Sequence, residues 1–187
     1  LPSYDSATYK LMVGDGFRAL IERCIPPERL HDEGLFDQVF ESATREYAAH
    51  ALEKTKPFPG MLPTLEALSR KGIRLAVLSN KPDDMSNAIV RTLFSAIHFV
   101  AVWGNSSQRP RKPDPSAVWE ICGMAEARPE RSLFVGDSGV DMKTAKAAGM
   151  IGIGALYGYR SREELKMAGA DFYIASPLEL LSLIGAT

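Results

Sequence analysis

Directly after the apolar run Ser132-Leu133-Phe134-Val135 comes Gly136-Asp137-Ser138-Gly139-Val140-Asp141. Asp137 at a strand tip, with Asp141 one helical turn further on and on the same side, presents two carboxylates together. Such a pair suits a hard cation such as Mg²⁺, which takes oxygen ligands and commonly bridges to a substrate phosphate. Gly136 is expected to let the chain turn sharply and to let a ligand approach the backbone. An aspartate near a helix N-terminus also caps the helix and meets its dipole, and for Asp141 both readings stay open. Asp137 directly follows a wholly apolar strand, which favours function.

Two further groups lie after other apolar runs. Ser79-Asn80-Lys81-Pro82 follows Ile73–Leu78. A hydroxyl and the next backbone N–H groups, at a strand tip and before a helix, make a site for phosphate oxygens; an ordinary Ser/Asn turn would look the same. After Ile97–Gly104 comes a loop with Arg109, Arg111 and Lys112, then Pro113-Asp114-Pro115. Lys112 would enter the site as a compact point charge, presented by backbone that the prolines fix, while Arg109 and Arg111 fit a solvated basic loop. The three groups together describe an anion pocket with a Mg²⁺ site on one side. The pocket lacks a nucleophile, because no histidine or second base is placed near Ser79 to activate it.

Ligands of open α/β sheets bind beyond the carboxyl ends of the strands, so these groups need a parallel sheet behind them. The sequence supplies one. Apolar runs at 73–79, 97–104, 132–137, 150–156 and 171–174 alternate with helical patterns at 61–70, 83–94, 114–122, 140–148 and 161–168. Short strands apolar on both faces, each followed by a helix, imply a parallel sheet covered on both sides. Ser161 and Glu164 have capping-box spacing. Upstream of Pro57 everything reads helical: Thr8–Ile25 with a break at Gly14-Asp15-Gly16, then an amphipathic helix through Leu35, Phe36, Val39, Phe40, Ala43 and Tyr47. The expected domains are a helical one at 1–56 and an α/β one at 57–187, joined at a hinge-like Lys56-Pro57 and Pro59-Gly60.

Composition narrows the function classes. Twenty-two Lys and Arg against 23 Asp and Glu give the 187 residues a formal charge of −1. There is no global basic field to bind nucleic acid or an anionic membrane. Cys24 and Cys122 are far apart, and His31, His50 and His98 lack ligand spacing. No apolar run approaches the ~20 residues of a membrane span, and the opening residues carry no signal-peptide pattern. A cytoplasmic monomer or homodimer is expected, with neither a nucleic-acid nor a membrane partner. Trp103 and Trp119 fit core or interface packing; Tyr157 and Tyr159 fit the pocket rim or a cover over the sheet edge.

Ser79-Asn80, Lys112 within Arg111-Lys112-Pro113-Asp114-Pro115, and Gly136–Asp141 resemble the second, third and fourth motifs of the haloacid dehalogenase superfamily of phosphatases. Ser79–Pro82, the Lys112–Pro115 run and the helical opening Lys10–Cys24 look most like its phosphoglycolate phosphatases. The resemblance covers essentially the whole chain. It implies a Rossmann-like α/β core with an α-helical cap, and Mg²⁺-dependent hydrolysis of a small phosphorylated metabolite through a phospho-aspartate. Ser79 then binds the transferring phosphoryl group, Lys112 neutralises it, and Asn80 lends backbone N–H contacts. Asp137 ligates Mg²⁺, and Asp141 supports the metal's water shell or orients Lys112. Arg18, beside the 14–16 break, either meets a substrate carboxylate or is a surface charge on an amphipathic helix. The family's first motif, Asp-x-Asp-Gly-Thr on a central strand, has no counterpart in these residues. That strand belongs between the runs at 73–79 and 132–137, so roughly 25–30 upstream residues are expected to belong to the working protein, and this chain alone is expected to be nearly inactive. The alternatives are a β-phosphoglucomutase-like mutase, a sugar-phosphate phosphatase, or a non-catalytic scaffold that has lost its first motif.

Overall fold

The computed structural model describes residues 1–185. Three helices come first: α1 (Ser6–Met12), α2 (Phe17–Cys24) and α3 (Leu35–His50). Gly14 and Gly16, at φ of 137° and 97°, break the chain between α1 and α2. Phe17 stacks on Tyr47 and meets Phe40, which joins α2 to α3 along the apolar stripe read from the sequence.

The α/β part then runs α4 (Met61–Arg70), β1 (Leu75–Pro82), α5 (Asp83–Leu93), β2 (Phe99–Asn105), α6 (Ser116–Met124), β3 (Leu133–Gly136), α7 (Gly139–Ala148), β4 (Ile151–Ala155), α8 (Arg162–Met167), β5 (Phe172–Ile174) and α9 (Glu179–Gly185). Every ladder is parallel. Ser138 caps α7 in a reciprocal box with Asp141, and Gly149 closes it in the left-handed conformation at φ 76°. Ser161 caps α8 by accepting from the Glu164 amide.

Strands are arranged in two groups, β1-β2 and β3-β4-β5, and no ladder joins β1 to β3 among the described residues. The sheet is therefore not covered throughout as expected: Val135 on β3 is 37% exposed and Ala76 on β1 is exposed. The main core lies around α7, β4 and α8, where Met142, Thr144 and Leu165 are wholly buried and Ile153 and Ile174 nearly so. A second cluster, Val118, Cys122 and Ala148, receives Leu78 from β1 and Phe134 from β3. Helix α6 thus packs against both strand groups. Trp119, on the same helix, is half exposed rather than core, and its indole donates to the Ala148 carbonyl. Gly123 has open space where a Cβ would go and no positive φ. Gly123→Ala is expected to raise stability by about 0.5–1 kcal/mol through helix propensity, measurable by urea denaturation.

Candidate active site

β1 runs three residues further than the apolar pattern indicates. Its register with β2 shifts between Leu78 and Pro82, so that four steps along β1 match two along β2, from Trp103 to Asn105. This bulge holds Ser79-Asn80-Lys81, and bulges re-aim the side chains they carry. The Ser79 hydroxyl accepts from the Lys81 amide at 3.1 Å. Lys81 itself reaches α3, donating to the Tyr47 hydroxyl at 2.9 Å.

Asn80 is buried, and its carboxamide is the fastening that sequence reading missed. Oδ1 accepts from the Lys112 amide at 3.0 Å, and Nδ2 donates to the Lys112 carbonyl at 3.1 Å. This reciprocal pair fixes Lys112 to the tip of β1. The Lys112–Pro113 peptide is cis.

From there the Lys112 ammonium crosses to the other strand group. Nζ donates to Asp141 Oδ1 at 2.7 Å, and the two side chains are only 10% and 9% exposed. Asp141 Oδ2 accepts from both the amide and the hydroxyl of Ser138, at 3.0 and 2.6 Å. One carboxylate oxygen of Asp141 thus caps α7, as the capping reading expects, and the other holds Lys112. Ser138-x-x-Asp141 carries the same capping-box spacing as Ser161-x-x-Glu164, and that spacing is the signal in the sequence for Ser138.

Gly136 is required for a different reason from the one expected. A Cβ there would lie 2.2 Å from Asp141 Cβ and 2.7 Å from its Oδ2. The glycine makes room for this chain's own carboxylate, and its φ is not positive.

Asp137 is wrapped by the loop after β4. Its Oδ2 accepts from the Tyr159 amide at 3.0 Å, and a Cβ on Gly158 would lie 2.1 Å from Asp137 Cβ. Tyr157 packs edge-on against Phe58, with ring centroids 5.0 Å apart. Burial first, and then the negative charge of Asp137, push its phenol above the ordinary tyrosine value of 10.0. With the folded value above the unfolded one, its contribution to stability is complete below about pH 10 and is lost as pH rises through the folded value. Spectrophotometric titration of the protein against Tyr157→Phe should show one phenol ionising later than the rest.

Ser79, Asn80, Lys112, Asp137 and Asp141 are thus gathered at the carboxyl ends of β1 and β3. Arg18 is not joined to them: its Nε is 3.4 Å from Glu22 and its guanidinium is 4.2 Å over the Phe36 ring. Its side chain is 62% exposed, the geometry of a surface charge on an amphipathic helix. Arg109 stacks on Trp103 at 4.1 Å, and Arg111 donates to the Asp15 carbonyl at 3.0 Å.

The oxygen donors fit a hard cation that keeps much of its water, since Mg²⁺ is commonly held by one or two carboxylates together with substrate phosphate. Both oxygens of Asp141 already have partners within the chain, which leaves Asp137 as the better-placed ligand. No group of three or more metal-ligating His, Cys, Asp or Glu residues occurs among the described residues, nor is any helix there long and apolar enough to cross a membrane.

The chain is similar to proteins already known. A family model described as haloacid dehalogenase-like hydrolase matches residues 1–155. Phosphoglycolate phosphatase of Mesorhizobium japonicum is 32% identical over 163 residues, covering 87% of this chain and 72% of that protein. Its counterpart in Rhodospirillum rubrum is 35% identical over 178 residues, covering 91% and 72%. A Haemophilus somnus 129PT crystal structure, described as a predicted phosphoglycolate phosphatase, superposes with a TM-score of 0.89 at 26% identity, covering 98% of this chain and 84% of that one.

Proposed function

The chain belongs to the haloacid dehalogenase-like hydrolases, as a phosphatase, and on that premise we propose that it hydrolyses 2-phosphoglycolate with Mg²⁺ as cofactor. The observation that carries the reading is the buried Lys112 ammonium. Its residue is fastened to the end of β1 by Asn80, and the ammonium is held by Asp141 in the first turn of α7. A cation placed by the fold rather than by solvent can offset charge on a transferring phosphoryl group without reorganising.

In this reading the Ser79 hydroxyl turns from the Lys81 amide to a phosphoryl oxygen, and Lys112 neutralises the same group. Asp137 would hold Mg²⁺, which supplies charge neutralisation of the phosphate, while Asp141 keeps Lys112 in place. Residues 1–56 act as the cap and 57–187 as the catalytic core. The attacking carboxylate comes from an Asp-x-Asp strand that these 187 residues do not carry. The substrate is chosen over a sugar phosphate because the curated relatives are phosphoglycolate phosphatases.

The test is Mg²⁺-dependent phosphate release from 2-phosphoglycolate, with Asp137→Asn as control, on this chain and on one carrying an upstream strand that ends in Asp-x-Asp. Release by the longer chain alone, lost on the substitution, is the expected result. Silence from both chains overturns the substrate, and a panel of phosphate esters then separates a sugar-phosphate phosphatase from a scaffold. Vigorous release by the 187-residue chain overturns the account of the nucleophile.

A further inference from the structure

The segment between α1 and α2 is held down from the α/β side, carbonyl by carbonyl. Arg160 Nη2 donates to the carbonyls of Leu11 and Val13, at 3.0 and 2.6 Å. Asn80 Nδ2 donates to that of Gly14 at 3.3 Å, and Arg111 Nη1 to that of Asp15 at 3.0 Å. The helix α1 ends at Met12, so the carbonyls of Leu11 and Met12 are among those a helix C-terminus leaves without intrahelical partners. Arg160 is the centre of this set. Its side chain is only 12% exposed although it lies in a loop, and Glu164, one helical turn on, braces its Nε at 3.5 Å.

The same loop grips the site. Tyr159, next to Arg160, bonds Asp137 through its amide, and Gly158 lies against the Asp137 side chain. The loop between β4 and α8 therefore touches an acidic residue at the tip of β3 through the Tyr159 amide and the 11–13 segment through the Arg160 side chain.

We propose that Arg160 is a positioning residue: a latch that seats residues 11–16 over the strand tips and makes that segment one wall of the substrate site. A guanidinium suits this work, since it stays charged and offers several donors in one plane. The role of the wall rests on the phosphatase reading; the latch itself rests on the geometry above.

Hydrogen exchange measured by mass spectrometry tests it on this chain. Hydrogen bonds from a charged donor are among the stronger ones, so Arg160→Ala should speed exchange of the amides at 11–16 by about tenfold or more, with β4 and α7 unchanged. Arg160→Lys should recover part of the protection, because the charge remains while the fork is lost. Arg162→Ala is the control, since its guanidinium lies 4.3 Å over the Tyr173 ring; it should leave 11–16 unaffected. In a chain that releases phosphate, Arg160→Ala should raise KM several-fold more than it lowers kcat. Unchanged exchange at 11–16 in Arg160→Ala overturns the latch, whatever the activity. Faster exchange at 11–16, with no phosphate released from any ester by any chain, overturns the functional reading and leaves the latch standing.

Discussion

Asp141→Ala is expected to lower the unfolding free energy by about 3–5 kcal/mol, the range for removing one partner of a buried ion pair. Lys112 is the reason. Its ammonium is 10% exposed and has Asp141 Oδ1 at 2.7 Å, so the substitution leaves a charge in a poorly solvated place with its partner gone. The same change deletes the oxygen that accepts from the amide and hydroxyl of Ser138, opening the capping box of α7. A second variant separates the two causes. Asp141→Ala combined with Lys112→Met removes the stranded charge, and should recover most of the loss while leaving the cap's share, about 1 kcal/mol. Urea denaturation of the single and double variants gives both numbers. A loss below about 1 kcal/mol in Asp141→Ala would show that the pair is not buried in solution as described.

Gly136→Ala is expected to be as damaging, at about 3 kcal/mol or more, the upper end for forcing atoms into a filled site. The added methyl would lie 2.2 Å from Asp141 Cβ and 2.4 Å from its Cγ, far inside contact distance. Asp141 has no easy retreat, because it is the third residue of α7 and its neighbours Met142, Thr144 and Ala145 are wholly or almost wholly buried. The carboxylate must leave Lys112 and Ser138 for the methyl to fit. Gly149→Ala is the comparison. There φ is 76° but nothing lies within 4 Å of the new atom, so only backbone strain remains, about 1 kcal/mol. Near-equal losses in the two variants would mean that strand β3 yields, not Asp141.

Much of this was legible in the sequence because local and global preferences agree there. β4 reads as an apolar run with small residues, and in the structure Gly152, Ile153, Gly154 and Ala155 are buried. α7 reads as the helical stretch 140–148, and in the structure it spans Gly139–Ala148. The strand before Asp137 was legible for the same reason, since its apolar run ends where β3 does. What escaped were roles that depend on a partner distant in the chain. Asn80 fastens Lys112 across 32 positions, and Arg160 reaches Val13 across 147; periodicity carries no record of either. The extension of β1 to Pro82 escaped because it is made by a register shift against β2, not by an apolar pattern. The last helix, α9, escaped as well.

The chain of contacts Asn80–Lys112–Asp141–Ser138 runs between two groups of strands that share no ladder. Groups placed for chemistry usually strain a fold, so that replacing them gains stability at the expense of activity. Here that exchange is closed. Lys112 and Asp141 help hold the two halves of the fold together, and a variant that loses either loses cohesion along with charge. The lysine and the aspartate are thus expected to be lost together or not at all.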